Sequence, residues 1–414
     1  MTVERSGFMA REWLWTLTAI GVLGAAFAAT QPMMPGGAGH DGLFYLRMAG
    51  QIQEGLPPEA INPFVLRVGA PWAAATVAGA AGISLTDAFF FINLLASAVT
   101  AVLFAAWLRG HVADAVTRLT LVVFFLVSPY SSFRFTFHYP ALTDPIAMLF
   151  LMLGLIVLDR ASRRIDAASA IAMLITVAIG CAFRELVLVC AIAAIFVRPW
   201  QLTPSALLWR TVPLAGVVTI GAIRSWVIAT PSNYSLIGAV WQWLGWKTLS
   251  MMALAFLFVF GPLLILPVQW WRTTLRVAIA RPDLVVFTGI FVAAGWLGAS
   301  DTERILVYAS PVALMLIGKN LADIRLSGAN VAFAQLVVFQ LLAYRVFVPI
   351  GGPGLSFFSD YYSFFTVWLD QIGRFMYLGG YAAMVALVVV IARSAGAAGS
   401  DDQRALPATE RIAV

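Results

Sequence analysis

Ionisable side chains stand close to the apolar stretches of this sequence, where a membrane-like environment makes them costly. They fall in separate connections between apolar segments, and acids stand beside arginines in several of these connections. Residues of this kind mark functional sites, so we treat them as candidate site residues. They are His40, Asp41, Arg67, Arg134, His138, Asp144, Arg184, Glu185, Asp301, Glu303, Arg304 and, one helical turn after Arg304, Tyr308.

These residue types suit the binding of an anionic group and the removal of a proton. A guanidinium group binds two phosphate oxygens at once, so Arg67, Arg184 and Arg304 are predicted to hold a phosphate or pyrophosphate. A carboxylate in the same cleft suits a general base that deprotonates an acceptor hydroxyl, and it equally suits a divalent metal ligand. We predict that Asp41 is this carboxylate.

Aromatic side chains accompany the charges. Phe44 and Tyr45 follow Asp41 closely, and segment 241–246 reads WQWLGW. Such rings stack on a sugar or line a lipid groove. For the tryptophans, the aromatic belt at a membrane surface is the alternative, and it is the favoured interpretation.

Each candidate taken alone also has a structural explanation. Asp41 and Asp144 stand where helix N-caps stand. Arg184 and Glu185 fit an ordinary turn pair, and His138 fits a buried histidine whose hydrogen bonds are satisfied. The acids near residue 301 fit the dipole of the helix that follows. A shared site is favoured because so many of these residues are predicted to fall on one side of the membrane.

The composition excludes several protein classes. Hydrophobic residues make up 61% of the 414 residues and charged residues only 11%, too little charge for the surface of a water-soluble domain. The apolar stretches are about twice as long as the alternating strands of an outer-membrane barrel, which cover roughly ten residues. The net charge of +6 comes from short arginine-rich loops, which membrane insertion explains better than nucleic-acid binding. Cys181 and Cys190 lie in apolar segments, so no disulfide framework or zinc site is predicted.

The sequence therefore predicts an all-α, polytopic bundle of about twelve transmembrane helices, each needing about 20 apolar residues. Residues 1–394 are expected to form one integral membrane domain. Residues 395–414, which are small, polar and charged, are expected to form a disordered cytoplasmic tail. The predicted spans are 12–31, 85–108, 118–129, 142–159, 167–182, 185–197, 209–229, 247–270, 283–299, 304–318, 327–347 and 372–393.

Loop charge predicts the orientation of the bundle. Loops 109–118, 159–164 and 271–281 are rich in arginine, and such loops stay in the cytoplasm. All three face the cytoplasm only if the apolar stretch 64–82 does not span the membrane. Residues 32–84 then form a long external loop, both termini are cytoplasmic, and the candidate residues lie on the external side.

The external loop is predicted to contain two juxtamembrane helices. Apolar residues in 41–54 recur mostly at helical spacing with few charges, which is typical of a helix lying in the membrane interface. Pro57, Pro58 and Pro63 end this helix. Residues 64–82 then form a second, more apolar helix that lies on the membrane without crossing it.

The order of motifs in the first 320 residues is distinctive. A first span is followed by GHDGLFY at 39–45 in an external loop and then by PFVLRVGAPW at 63–72. A helix start (TDP, 143–145), the Arg184-Glu185 turn and the DTER turn at 301–304 follow. This layout resembles the GT-C superfamily of membrane glycosyltransferases, whose members have a catalytic Asp in the first external loop, juxtamembrane helices in that loop and a polyprenyl-phosphate-linked sugar donor.

The resemblance implies roles for individual residues. Asp41 matches the catalytic Asp of the first loop, and Arg67 falls where related enzymes place a basic residue near the donor phosphate. Asp41 is single, whereas some members have an Asp-Glu pair, so dependence on Mg²⁺ or Mn²⁺ stays open. The chain also has no large C-terminal soluble domain, which argues against a large protein acceptor.

We therefore expect a glycosyltransferase that moves a hexose or pentose from a polyprenyl-phosphate donor to a lipid or polysaccharide acceptor at the external face of the bacterial inner membrane. Tyr45 and the candidates other than Asp41 and Arg134 would bind these substrates, within the lipid bilayer and without nucleic acid. The alternative is a transporter or flippase for a lipid-linked or anionic substrate. Such a protein places polar residues near the midplane on broken helices, often in repeated halves, and no clear repeat is visible. A structural subunit without catalysis is the third possibility.

Overall fold

The computed structural model describes residues 2–34, 37–197, 203–230, 236–298, 302–346, 369 and 371–405. Within these ranges the chain is all-α apart from one pair of very short strands. The helices are α1 Thr2–Thr30, α2 His40–Gln53, α3 Gly69–Ala81, α4 Leu85–Leu108, α5 Ala115–Val127, α6 Ser132–His138, α7 Asp144–Arg163, α8 Ala167–Phe183, α9 Leu188–Ala194, α10 Pro204–Arg210, α11 Val212–Trp226, α12 Leu236–Trp246, α13 Leu249–Phe260, α14 Ile265–Gln269, α15 Trp271–Ala280, α16 Pro282–Leu297, α17 Thr302–Leu306, α18 Ser310–Leu326, α19 Asn330–Ala343 and α20 Gln371–Ala405.

The two strands join connections that are far apart in sequence. β1 (Glu59–Ile61) pairs in parallel with β2 (Ile228–Thr230), and Glu59 stands opposite Ile228. The backbone N–H of Ile228 also donates to the carbonyl of Pro58 at 3.0 Å. This pairing fixes the loop between α2 and α3 against the connection that follows α11.

Side-chain caps start several of the helices. Ser84, Asp114, Ser131 and Asp166 each accept a hydrogen bond from the backbone N–H three residues further on, which satisfies one of the unpaired donors at a helix start. Apolar residues make up most of the three longer helices of this group after their caps. The caps explain why the helices begin where the polar connections end.

The chain is a helical membrane protein, but the prediction of twelve transmembrane helices is wrong. Within the described residues, seven helices are long and apolar enough to cross a membrane, and the number rises to nine if each of two bent helix pairs forms one span. The seven are Arg11–Thr30, Leu85–Leu108, Ala115–His138, Asp144–Arg163, Pro204–Trp226, Thr302–Leu326 and Gln371–Ala395.

The other predicted spans fail because their helices are short or bent. α9 has 7 residues and α19 has 14, so each is shorter than a membrane crossing needs, while α8 has 17, which is about the lower limit of a crossing. The helix axis bends by 98° between Val240–Trp246 and α13, and by 107° between α15 and α16. Hydropathy alone does not reveal such bends.

The predicted span 247–270 is interrupted inside its apolar run. Gly261 has φ of 71°, and a side chain there would overlap the amide of Gln340. That amide replaces the missing helical hydrogen bonds: its Nε2 donates to the Phe260 carbonyl at 2.7 Å, and its Oε1 accepts from the Leu263 N–H at 3.3 Å. The break is therefore built into the packing, with its polar groups satisfied.

Two helices lie where the sequence predicted juxtamembrane helices. α2 has 14 residues and α3 has 13, so α3 is about 20 Å long at about 1.5 Å per residue. That length is shorter than the roughly 30 Å hydrocarbon core. At the other end of the chain, α20 continues to Ala405, beyond the expected start of the tail, and residues 406–414 lie outside the described residues.

Charged connections gather at two ends of the bundle. Arg109 and Arg118 both contact Glu12 of α1. Arg281 and His111 both contact Asp159, so the three arginine-rich loops lie together at what we call the arginine end. α7 runs from Asp144 to this end, which places Asp144 about 22 Å from Asp159 along the helix axis at about 1.5 Å per residue. We call the end that holds Asp144 the site end.

Candidate functional site

Asp144 is the centre of a buried ion-pair network that we call the Asp144 cluster. Arg304 Nη2 donates to Asp144 Oδ2 at 3.0 Å, and Arg184 Nη1 lies 2.6 Å from the same oxygen. The Tyr308 hydroxyl donates to Asp144 Oδ1 at 2.9 Å. The other arm of the Arg304 guanidinium, Nη1, donates to Asp41 Oδ2 at 3.0 Å. Arg304 thus bridges two carboxylates that come from different parts of the chain.

The helices that carry these residues fix the geometry. Arg304 in α17 and Tyr308 in the 3₁₀ turn at Val307–Ala309 are four residues apart, so both side chains lie on one face and reach Asp144 together. Arg184 follows the last residue of α8 and also donates to the Thr143 hydroxyl at 3.3 Å. Its guanidinium carbon lies 5.6 Å from the centre of the Tyr308 ring.

Helix capping does not explain Asp144. The N-cap of α7 is Thr143, which makes no side-chain capping bond, and Asp144 belongs to the first turn. Its two carboxylate oxygens are taken by Arg184, Arg304 and Tyr308 instead. Three donors from two other helical segments hold this carboxylate in place.

Helix capping does not explain Asp41 either, because the N-cap of α2 is Gly39, again without a side-chain bond. Tyr139 supports the helix start instead: its hydroxyl accepts from the Gly42 N–H at 2.7 Å. A Cβ atom at Gly39 or Gly42 would overlap the Tyr139 ring, so only glycine permits this approach. The two glycines therefore let the turn that carries Asp41 rest on Tyr139, within reach of Arg304.

A second network, the Arg67 cluster, lies beside the first. Arg67 binds both oxygens of Glu185, with Nε 2.9 Å from Oε2 and Nη2 2.5 Å from Oε1, and its Nη1 donates to the Tyr45 hydroxyl at 2.9 Å. Burial alone would lower the pKa of Arg67, but Glu185 and Tyr45 offset this and hold the pKa well above its ordinary range. Burial raises the pKa of Tyr45 against the opposing effect of Arg67, so its phenol is neutral.

The Tyr45 ring is packed inside the protein in this conformation. The side chain is fully buried, and the ring meets Phe64 edge-on at 6.0 Å. Phe44, the other aromatic residue considered for sugar stacking, stacks on the same Phe64 ring, with 4.9 Å between the two ring centres. These contacts support the turn that carries Arg67.

One dipeptide joins the two clusters. Arg184 belongs to the Asp144 cluster and Glu185 to the Arg67 cluster, so the reversal after α8 holds both together. The clusters contain three arginines and three carboxylates, and their formal charges balance. Every arginine already has a carboxylate partner in this conformation.

The carboxylates, and not the arginines, are the more accessible groups. The side chains of Arg67, Arg184 and Arg304 are 5–8% exposed, whereas Asp41 is 19% and Glu185 29% exposed. A cavity of about 10 Å³ lies against Asp144, Arg304 and Tyr308, which is about the space of one water molecule. A sugar-sized ligand needs this site to open.

Other candidate residues lie outside the two clusters. His138 is buried, and its Nδ1 lies 2.8 Å from the carbonyl of Pro32, where it joins α6 to the segment after α1. Arg134 is buried and donates to the carbonyls of Val127, Tyr344 and Arg345.

Three further candidates complete the set. Glu303 lies in α17 beside Arg304, and its side chain is fully buried. Asp301 and the side chain of His40 lie outside the described residues.

Asn93 supports the connection that carries Asp144, and the sequence did not predict this role. Asn93 in α4 is fully buried, and its Nδ2 donates to the carbonyls of Pro140 and Leu142 at 2.7 and 2.8 Å. It thereby holds the connection that runs from Tyr139 to Asp144. A lone amide within the apolar run 85–108 was the available signal.

Within the described residues, no group of three or more His, Cys, Asp or Glu side chains is arranged to hold a metal ion. Asp41 and Asp144 are the pair that Arg304 brings together, and the guanidinium stands between them.

No protein-family model matches this sequence, and no curated protein matches it either.

Proposed function

We propose that this protein is a GT-C-type membrane glycosyltransferase that moves a sugar from a polyprenyl-phosphate donor to a lipid or polysaccharide acceptor. The observation that carries the proposal is the Arg304 guanidinium bridging Asp41 and Asp144, with Arg184 and Arg67 alongside. Ionised side chains are costly at the end of an apolar bundle. A site that binds phosphate and accepts a proton accounts for the presence of arginines and carboxylates together.

Arg304 and Arg184 are the proposed phosphate ligands. Their guanidinium groups bind phosphate oxygens in pairs, and Asp144 fixes the orientation of both. Asp144 is a positioning residue because three donors occupy its oxygens. Arg67 is held by both oxygens of Glu185, so in this conformation it is less available to phosphate than Arg304 and Arg184.

Asp41 is the proposed general base. Among the described residues Arg304 is its only hydrogen-bond partner, so it is the least constrained carboxylate of the Asp144 cluster. Because the clusters are neutral, a donor phosphate takes the place of Asp41 on Arg304. The released carboxylate then faces the bound donor.

The proposed reaction is a single displacement. The acceptor hydroxyl oxygen attacks the anomeric carbon, and its proton moves to Asp41. The bond between the anomeric carbon and the phosphate oxygen breaks, and polyprenyl phosphate leaves with the electron pair, held by Arg304 and Arg184. Attack opposite the leaving group inverts the anomeric configuration.

The assay uses purified protein in liposomes that contain polyprenyl-phosphate-linked hexoses and pentoses, with a lipid acceptor. Release of polyprenyl phosphate is measured for the wild type, for Asp41→Asn and for Asp114→Asn, which changes a carboxylate at the arginine end. We expect release by the wild type and Asp114→Asn and loss of release in Asp41→Asn. Equal release by all three proteins contradicts the proposed role of Asp41. A chelator added to the wild type tests for Mg²⁺ or Mn²⁺ dependence.

We further propose that the site end is external, at the cell inner membrane, and that the arginine end and both termini are cytoplasmic. The support is that the three arginine-rich loops lie together, as retention in the cytoplasm requires. Glu54→Cys and Arg163→Cys place exposed thiols at the two ends, while Cys181 and Cys190 are buried. An impermeant thiol reagent added outside cells should label the first variant alone, and the reverse pattern contradicts this orientation.

A transporter or flippase is the second candidate, and the break at Gly261 favours it, because transporters bind substrates at interrupted helices. Gln340 nevertheless satisfies the freed backbone groups at that break, so they do not face a substrate. The liposome assay separates the two functions. Movement of the lipid-linked sugar across the bilayer without release of polyprenyl phosphate supports the transporter.

A further inference from the structure

α15 is set apart from the other helices by its direction and its exposure. It makes an angle of 107° with α16, which follows it after Arg281, and none of its ten residues is buried. Arg281 pairs with Asp159 and Asp283, so α15 lies at the arginine end. A helix nearly perpendicular to an apolar helix of the bundle runs along the membrane surface.

The residues of α15 fall into three sectors around its axis at about 100° per residue. Thr273, Thr274, Val277 and Ala278 are half-buried against the protein, where the Thr274 hydroxyl donates to the Pro267 carbonyl at 2.7 Å.

The outward side of α15 divides into an apolar row and a basic row. Trp271, Leu275 and Ile279 form the apolar row and are 57%, 46% and 61% exposed. Arg272 and Arg276 form the basic row beside it and are both exposed. Around the helix axis, the side that packs on the protein is followed by the apolar row and then by the basic row.

The two arginines of the basic row differ from most of their neighbours. Within the described residues neither Arg272 nor Arg276 has a carboxylate partner, whereas Arg160, Arg163 and Arg281 at the same end each form an ion pair. The Arg272 guanidinium lies 5.7 Å from the Trp271 ring instead. The basic row is therefore available to an anion from outside the chain.

We propose that α15 is a binding site for acidic phospholipids in the leaflet at the arginine end. A phospholipid presents acyl chains and a phosphate side by side, and it can contact the apolar row and the basic row together. The guanidinium groups bind the phosphate oxygens, and Trp271 lies at the headgroup level. Free phosphate leaves the apolar row uncovered, and an acidic peptide has no acyl chain to cover it. This site is independent of the proposed transferase activity.

Native mass spectrometry of the purified full chain tests the proposal by titration with phosphatidylglycerol or phosphatidylcholine. We expect the wild type to prefer phosphatidylglycerol. The double variant Arg272→Gln/Arg276→Gln should bind it roughly thirtyfold more weakly, from about 1 kcal/mol for each arginine near an anionic surface. The matched control Arg160→Gln/Arg163→Gln removes the same charge from paired arginines at the same end and should keep the preference.

Several outcomes overturn the proposal. An equal loss in the control shows that only net charge matters, and no lipid preference in the wild type removes the site. Glycerol phosphate, which has the headgroup without acyl chains, should compete poorly, and strong competition would show that the apolar row takes no part. Leu275→Gln keeps both arginines and should weaken phosphatidylglycerol binding without unfolding the chain, because α15 has no buried residue.

Discussion

The two ends of the bundle use the same residue types in different ways. At the arginine end, Asp114 and Asp166 cap the helices that follow them, and each also pairs with an arginine. At the site end, Asp41 and Asp144 cap nothing, although each lies in the first turn of a helix. Their carboxylates point to Arg304, which is 263 and 160 residues away in sequence.

Burial of one ion pair does not distinguish the two ends. Glu12 and Arg118 at the arginine end are each 9% exposed and join α1 to α5. Asp159 at that end also has three partners, but one of them, Arg163, is 70% exposed. Both arginines that pair with Asp144 are only 5% exposed. A buried ion pair contributes little net stability, because desolvation offsets its Coulombic attraction. The site end therefore holds charge that folding alone does not require.

Removal of Arg304 should have the largest effect of any change at either end. Arg304→Ala leaves Asp41 and Asp144 facing each other without the guanidinium, and breaking a buried pair in this way costs about 3–5 kcal/mol. We expect loss of transfer and a large drop in stability, measured by thermal unfolding in detergent. Arg304→Lys keeps the charge but cannot bridge both carboxylates, so activity should fall with the fold retained.

The matched control for Arg304→Ala is Arg325→Ala, which breaks the Asp114 pair at the arginine end. That arginine is 28% exposed, and we expect a change of only about 0–1 kcal/mol with normal activity. Full activity of Arg304→Ala would remove Arg304 from the site.

Asp41→Asn should abolish turnover and leave stability almost unchanged. Loss of a general base lowers turnover by about 10²–10⁴-fold, while the start of α2 depends on Gly39 and Tyr139 rather than on Asp41. The variant also removes the carboxylate that competes for Arg304, so it should bind farnesyl phosphate at least as tightly as the wild type. Transfer rates and a binding titration test both expectations, and near wild-type turnover would reduce Asp41 to a structural residue.

Tyr308→Phe should have a smaller effect that reports the charge of Asp144. The Tyr308 hydroxyl donates to a carboxylate, and hydrogen bonds to charged groups contribute about 1.5–3 kcal/mol. Tyr381→Phe is the matched control, because its buried hydroxyl donates to the neutral carbonyl of Ala343, a bond worth about 0.5–1.5 kcal/mol. Unfolding in detergent compares the two, and equal losses would argue against an ionised Asp144.

The fold was predictable from the sequence in class but not in span count. Apolar runs identify helices such as α4 and α7, whereas the bend before α13 depends on packing that no local pattern encodes. Gly261-Pro262 was a visible breaker inside a long apolar run, but Gln340, which stabilises the break, is 77 residues from Leu263. Helix count therefore requires tertiary contacts.

The residues of the two clusters were predictable, but their pairing was not. Charges next to apolar runs stand out in the sequence, and Asp41, Asp144 and Arg304 were identified in this way. The partner of Arg67 could not be inferred, because Glu185 is 118 residues away. The burial of Tyr45 against Phe64 could not be inferred either, because it depends on tertiary packing.

Asp114→Asn should have the smallest effect, and it makes at the arginine end the same chemical change as Asp41→Asn at the site end. Asn caps a helix about as well as Asp, so the hydrogen bond from the Thr117 N–H is retained. The ion pair with the partly exposed Arg325 is lost, which costs about 0–1 kcal/mol. Asp114→Ala, which also removes the cap, should cost about 1 kcal/mol more. Both variants should transfer sugar at the wild-type rate, because no described residue of either cluster contacts Asp114. A transfer defect in Asp114→Asn as large as that in Asp41→Asn would mean that the two ends do not differ in function.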